Sequence, residues 1–121
     1  MLLEVLQDNF CVCKINSVSQ ADMQSDFFFL AKTDGEVSLV CKEQDAPKNC
    51  VAIEKDWRGI RVVGALDFAL VGILSRLSTI LANAGIPIFA VSTYDTDYIL
   101  VKENCFDKAL SVLKDNGYFV K

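Results

Sequence analysis

Apolar and polar positions change rhythm midway along the chain. In the first half they form short β-branched and aromatic runs separated by polar turns. Residues 1–9 lead into Phe10-Cys11-Val12-Cys13-Lys14-Ile15, a strand of high β-propensity. Asn16 to Ser25 is polar and without apolar period, so it reads as a loop with room for one helical turn. Phe27 to Ala31 is a buried strand, Thr33-Asp34-Gly35-Glu36 a hairpin turn in which Asp-Gly accepts positive φ, and Val37 to Cys41 the returning strand. After a polar connection over Glu43–Asn49 that carries Pro47, Cys50 to Trp57 alternates again as a strand.

From Ile60 to Tyr98 the pattern is denser, and the rest of the chain is organised around it. A short strand over Ile60–Val63 is bounded by Gly59 and Gly64. From Val71 the period lengthens: Val71, Leu74, Leu77, Ile80 or Leu81, and Ala84 recur three and four residues apart, with Ser75, Arg76, Ser78, Thr79 and Asn83 between them. That is one apolar stripe on a helix. Gly85 stops it, Pro87 forbids its continuation, and Ile88 to Val91 follows as a strand. Asp95-Thr96-Asp97 turns the chain into Tyr98–Val101. A second helix spans about Cys105 to Asp115, with Asn104 as the expected N-cap, Phe106, Ala109, Leu110 and Leu113 as its buried stripe, and Asn116-Gly117 as its stop. Tyr118 to Val120 is the last strand.

Strand–helix–strand–strand–helix–strand is a βαββαβ unit, and the strand order before it is a weak echo of the same pattern without its helices. The fold class is therefore α+β, with helices on one face of an antiparallel sheet. At 121 residues this is one domain, or two small subdomains sharing a sheet. A hydrophobic fraction of 52% is high enough to fill a core and leave apolar surface for a partner, which favours a homodimer.

Charge and chemistry exclude more than they assign. Net charge is −4 and the basic residues are scattered singly, which argues against nucleic acid or an anionic membrane as partner. The absence of histidine removes imidazole catalysis and ligation. Five cysteines (Cys11, Cys13, Cys41, Cys50 and Cys105) are odd in number and irregular in spacing, so reduced, mostly buried thiols in a cytoplasmic protein are expected, with no disulfide and no metal. No apolar run has secretory or membrane-spanning length. No catalytic dyad is present among these residues, so no enzyme activity and no cofactor are expected.

Gly72-Ile73-Leu74 opening the helix, Ala84-Gly85-Ile86 closing it, and Ile88-Phe89 leading into a hairpin resemble the ACT domain, a small ligand-binding regulatory module. More narrowly, GALDFALVGIL followed by AGIPIFAVSTYDTDYILVK resembles the tandem-ACT group that includes the regulatory part of aspartate kinases and the arginine sensors. The resemblance covers about Trp57 to Val120. It implies a ferredoxin-like ACT domain over residues 58–121 and a degenerate ACT-like subdomain over residues 1–57. The usual Asp-x-Pro-Gly turn of the family is altered: Gly72 stands in place, Val71 replaces the proline and Ala69 the acid, with Asp67 nearby.

Two candidate patches follow. The loop from Gly64 to Gly72 precedes a helix start, whose backbone N–H groups and dipole favour an anionic group; Leu70, Val71, Gly72 and Ile73 would supply that contact. The same loop also reads as a tight strand-to-helix turn. Asp67 and Phe68 lie within it, the aspartate as a helix cap or as a contact for a ligand ammonium. At the hairpin, Ser92, Thr93 and Tyr94 end one strand, and their hydroxyls either bind a polar ligand or finish the strand. Asp95 serves the turn, while the resemblance places Thr96 and Asp97 in the ligand pocket. The reading is an amino-acid-binding sensor without catalysis; the alternative is an ACT-like dimerisation module that docks on an enzyme and binds nothing itself.

Overall fold

The computed structural model describes residues 1–63 and 72–121. Seven strands and two helices follow in the order β1 (Leu2–Ile15), β2 (Phe28–Lys32), β3 (Val37–Lys42), β4 (Ala52–Val62), α1 (Ile73–Asn83), β5 (Phe89–Ser92), β6 (Asp97–Lys102), α2 (Phe106–Asp115) and β7 (Phe119–Val120). Short 3-10 turns lie at Val18–Gln20, Glu43–Asp45 and Glu103–Cys105. The first of these is the single helical turn expected in the polar loop. It is held by a capping box in which Ser17 and Gln20 satisfy each other's backbone N–H groups.

The chain divides into two compact units, residues 1–7 with 58–121, and residues 8–57. In the larger unit the strand order is β7-β1-β4-β6-β5. It is the ferredoxin-like α+β arrangement, with one addition. The start of β1 stands between β7 and β4, pairing in parallel with β7 through Leu2↔Phe119 and Leu3↔Val120. Met1–Gln7 belongs to the larger unit: Leu3 is fully buried in its core and Val5 N–H donates to Lys121 C=O at 2.8 Å. That core joins Leu3, Ile60, Val62, Ile99 and Val101 of the strands to Leu77 and Leu81 of α1 and Phe106, Ala109 and Leu113 of α2. Both helices bury the stripe that the sequence period marks, four residues apart in α1, three and four apart in α2.

In the smaller unit the order is β2-β3-β1. Antiparallel register sets Cys11 opposite Cys41 and Cys13 opposite Leu39. With alternate residues on one face of a strand, Cys11, Cys13, Ile15, Leu39 and Cys41 form its buried core together with Ala21.

Three expectations are corrected. The strands read as Cys50–Trp57 and Ile60–Val63 are one strand, β4, because Gly59 is buried within it and continues the ladder rather than ending it. β1 begins at Leu2, not at Phe10, since β7 gives its first residues a pairing partner. The N-cap of α2 is Cys105, not Asn104, and carries no side-chain cap: the 3-10 turn over Glu103–Cys105 leads straight into the helix.

Among the described residues, no helix is long and apolar enough to cross a membrane.

Candidate functional site

The end of the larger unit where α1 begins gathers the groups best suited to hold a small molecule. Gly72 is the N-cap of α1, with φ 82° and no side-chain cap. Left-handed backbone is open to glycine at little cost, and it turns the chain directly into the helix. Arg76 N–H then donates to Gly72 C=O at 2.8 Å, which closes the first turn. The positive end of the helix dipole therefore points out at Gly72 and Ile73.

Arg76 brings a full charge to the same place. Its Nη2 donates to Asn116 C=O at 3.1 Å, and its guanidinium lies 5.3 Å from the centre of the Tyr118 ring. Tyr118 is buried, and Asn116 anchors its own turn by donating from Nδ2 to Val112 C=O at 2.7 Å. Between these groups is a cavity of about 240 Å³. Gly72, Ile73 and Arg76 line it from α1, Asn116, Gly117 and Tyr118 from the turn after α2, and Met1 from the chain start. Helix dipole and guanidinium act with one sign, so the cavity offers a place to an anionic group such as a carboxylate.

The hairpin between β5 and β6 is built mainly to hold itself. Ser92 is paired with Asp97 in the ladder, and its hydroxyl donates to Asp97 Oδ1 at 2.6 Å. Thr93 donates to Thr96 C=O from its backbone N–H at 2.8 Å and from its hydroxyl at 3.1 Å. Tyr94 is 81% exposed. Thr96 turns inward: it is buried, and its hydroxyl donates to Val62 C=O at 2.7 Å. This bond fastens the hairpin to the last residue of β4.

Of the residues singled out from sequence, Gly72 and Ile73 line the cavity, and Ser92, Thr93, Tyr94, Thr96 and Asp97 share the hairpin without lining it. Asp67, Phe68, Leu70 and Val71 lie outside the described residues. Sequence reading missed Arg76, Asn116 and Tyr118. Arg76 was visible as a lone cation one turn into α1, but on a solvated helix face a single arginine carries no signal. Asn116-Gly117 was visible only as a helix stop.

A sequence model described as the ACT domain matches residues 52–115. Among solved structures, the chain is similar to a protein from Agobacterium tumefaciens at 27% identity and a TM-score of 0.87, the match covering 99% of this chain and 91% of that one. It is similar in fold to the ligand-free regulatory subunit of aspartate kinase from Thermus thermophilus, at 8% identity and a TM-score of 0.67, over 93% of this chain and 95% of that one. Aspartate kinase from Clostridium acetobutylicum matches at 17% identity and a TM-score of 0.68, over 90% of this chain but 33% of the kinase.

Proposed function

The chain belongs to the ACT domain family, and from that premise we propose that it is a regulatory module that binds a small amino acid and catalyses nothing itself. The carrying observation is the cavity at the start of α1, where a helix N-terminus without a side-chain cap among the described residues and the Arg76 guanidinium face the same space. An amino acid's carboxylate would rest on the first N–H groups of α1 and on Arg76. Its ammonium would face outward, toward an acidic group, with Asp97 and Asp67 as the candidates. The cavity is smaller than the pockets that take drug-sized ligands, which run from roughly 300 to 1,000 Å³. That suits a metabolite of a few heavy atoms. The fold likeness to aspartate kinase regulatory parts adds support, since the Clostridium enzyme is described as allosteric.

A thermal-shift screen of the twenty amino acids tests the reading. A ligand that binds only the folded state raises stability by RT ln(1 + [L]/Kd), about 2.7 kcal/mol at a hundredfold excess over Kd. At least one amino acid should raise the Tm at millimolar concentration. No shift with any of them would leave the second reading, a dimerisation module without ligand. That reading draws on Phe119, which is 72% exposed on β7, a strand whose partner among the described residues is β1. Open strand edges invite pairing with a second copy.

A further inference from the structure

The smaller unit carries a concentration of sulfur that amino-acid binding does not use. Cys11 Sγ lies 3.6 Å from Cys13 Sγ and 3.6 Å from Cys41 Sγ. All three sulfurs fall within 4.8 Å of one another, and all three residues are buried. Two features of the sheet produce this. Cys11 and Cys13 are two apart on β1 and share its inner face, and Cys41 of β3 is the direct cross-strand partner of Cys11. The chain spacing, two residues and then twenty-eight, shows none of it. Cys50, half-buried, packs against the same cluster and donates its S–H to Pro47 C=O at 3.2 Å.

We propose that Cys11, Cys13 and Cys41 form a binding site for one soft d10 cation of the zinc type, with Cys50 as the fourth thiolate. An ion bonded to sulfur at about 2.3 Å holds its ligands roughly 3.8–4.0 Å apart, in tetrahedral or trigonal array. Two of the three sulfur edges are already within a few tenths of an ångström of that. The third closes by small side-chain rotations, and Cys50 reaches the open position by giving up its bond to Pro47. Thiolate sulfur selects such ions over hard ones.

The site also has a way in. A cavity of about 340 Å³ is walled by Cys11 and Cys50, with Glu43, Lys48 and Lys55 among its polar lining. Each thiol that ligates gives one proton to solvent, so a divalent ion on four thiolates leaves a net charge of −2. Lys48 and Lys55 at the opening offset part of that charge, while Glu43 opposes them. Small buried cysteines also pack simply as apolar residues. Packing alone gives no reason for three sulfurs to converge where one of them, Cys11, lines a cavity together with a fourth cysteine.

The test uses the reduced full-length chain, kept in a non-thiol reductant. One equivalent of Cd2+ should produce a thiolate-to-metal charge-transfer band in the ultraviolet that saturates at one ion per chain. Zn2+ alone should raise the Tm, and Cd2+, the softer ion, should displace bound Zn2+. Cys11→Ser and Cys41→Ser should each weaken the affinity at least a hundredfold, and Cys50→Ser at least tenfold. Cys105→Ser, in the other unit, should leave it unchanged. Should the core variants fail to fold, X-ray absorption on the zinc-loaded parent protein decides, because the proposal requires a shell of sulfur near 2.3 Å. A shell of oxygen or nitrogen, the lack of any saturable band, or equal loss with Cys105→Ser would overturn it.

Discussion

Thr96 donates its hydroxyl to the backbone carbonyl of Val62 across 2.7 Å, joining residues thirty-four apart in sequence. Thr96 is 8% exposed. It stands at the tip of the β5–β6 hairpin and Val62 at the end of β4, so one bond sets the hairpin against the strand from which the chain leaves toward α1. Thr96→Val keeps the shape and removes the donor, which strands a carbonyl at the edge of the core. A buried acceptor left without a partner costs about 1–3 kcal/mol. Denaturant melts should show a loss in that range for Thr96→Val and a smaller one for Thr96→Ser. An unchanged midpoint in Thr96→Val would show that the carbonyl finds another partner.

Acid should weaken the larger unit through a second pair. Arg61 donates from Nε at 3.0 Å and from Nη2 at 2.7 Å to Glu4 Oε1, linking β4 to the start of β1. The bond from Arg61, followed by its charge, lowers the Glu4 pKa. With a folded value below the unfolded one, its stabilisation is present above the ordinary glutamate pKa of about 4.3 and is lost as pH falls through the lower folded value. The pair is only partly shielded from solvent, so the effect is modest and salt-sensitive. Glu4→Gln should therefore lower the urea midpoint at pH 7 but leave it close to the parent's at pH 2.5. A difference equally large at both pH values would assign the loss to packing rather than to charge.

How much of this was legible beforehand depends on the range of each interaction. α1 and α2 could be read because an amphipathic stripe is a local signal, and Leu77, Leu81, Phe106, Ala109 and Leu113 all fall on it. The hairpins could be read from their polar tips at 33–36 and 95–97, although Gly35 does not take the positive φ expected of it: the Thr33 hydroxyl accepts from the Gly35 and Glu36 N–H groups instead. What could not be read was pairing at long range. Leu2 and Leu3 look like a lead-in until Phe119 and Val120 lie beside them, and Gly59 looks like a boundary until the ladder is seen to pass through it. The cavity was half legible for the same reason: Gly72 advertises a helix start, whereas Arg76 matters only because Asn116 and Tyr118 come back to meet it. The Cys11–Cys41 contact depends on register, which no spacing motif encodes.

Gly72 separates a conformational requirement from a steric one. Its φ is 82°, and a Cβ built on it meets nothing within 4 Å among the described residues. Substitution should therefore cost backbone strain, not crowding. Left-handed backbone costs an ordinary residue roughly 1–2 kcal/mol, and asparagine tolerates it better. Gly72→Ala should lower the Tm, and Gly72→Asn should lower it less. If the two fall equally, or Gly72→Asn falls further, the strain argument fails at this position.

Oligomeric state tests the exposed β7 edge. Phe119 is 72% exposed on that strand, and the apolar excess of the sequence leads us to expect a homodimer. Light scattering on dilute protein should give twice the chain mass, and Phe119→Lys should shift the population toward monomer. A parent protein that stays monomeric from low to high micromolar concentration removes the expectation.

The binding site itself is tested by comparing two charges at the same end of the larger unit. Arg76 lines the cavity, while Asp97 sits on the neighbouring hairpin with the Ser92 hydroxyl on its carboxylate. An amino acid held by its carboxylate at α1 must lose affinity when Arg76 becomes glutamine. Removing one member of a desolvated charged pair costs roughly 2–5 kcal/mol. Arg76 is exposed, so the lower end applies, and at least a tenfold weakening is expected. Because Arg76 also bonds Asn116 and stacks on Tyr118, the ligand-free Tm must be measured alongside to separate lost binding from lost stability. Asp97→Asn keeps an acceptor for Ser92 and removes the charge that would meet the ammonium, so it too should weaken binding at least tenfold with little change in Tm. Asp95→Asn, at the turn, should do much less. Calorimetry with whichever amino acid the screen finds reads all three variants. Loss in Arg76→Gln alone would confine the ligand to the cavity and remove the hairpin from the site. Parent-like binding in Arg76→Gln would show that the guanidinium does not anchor the ligand's carboxylate.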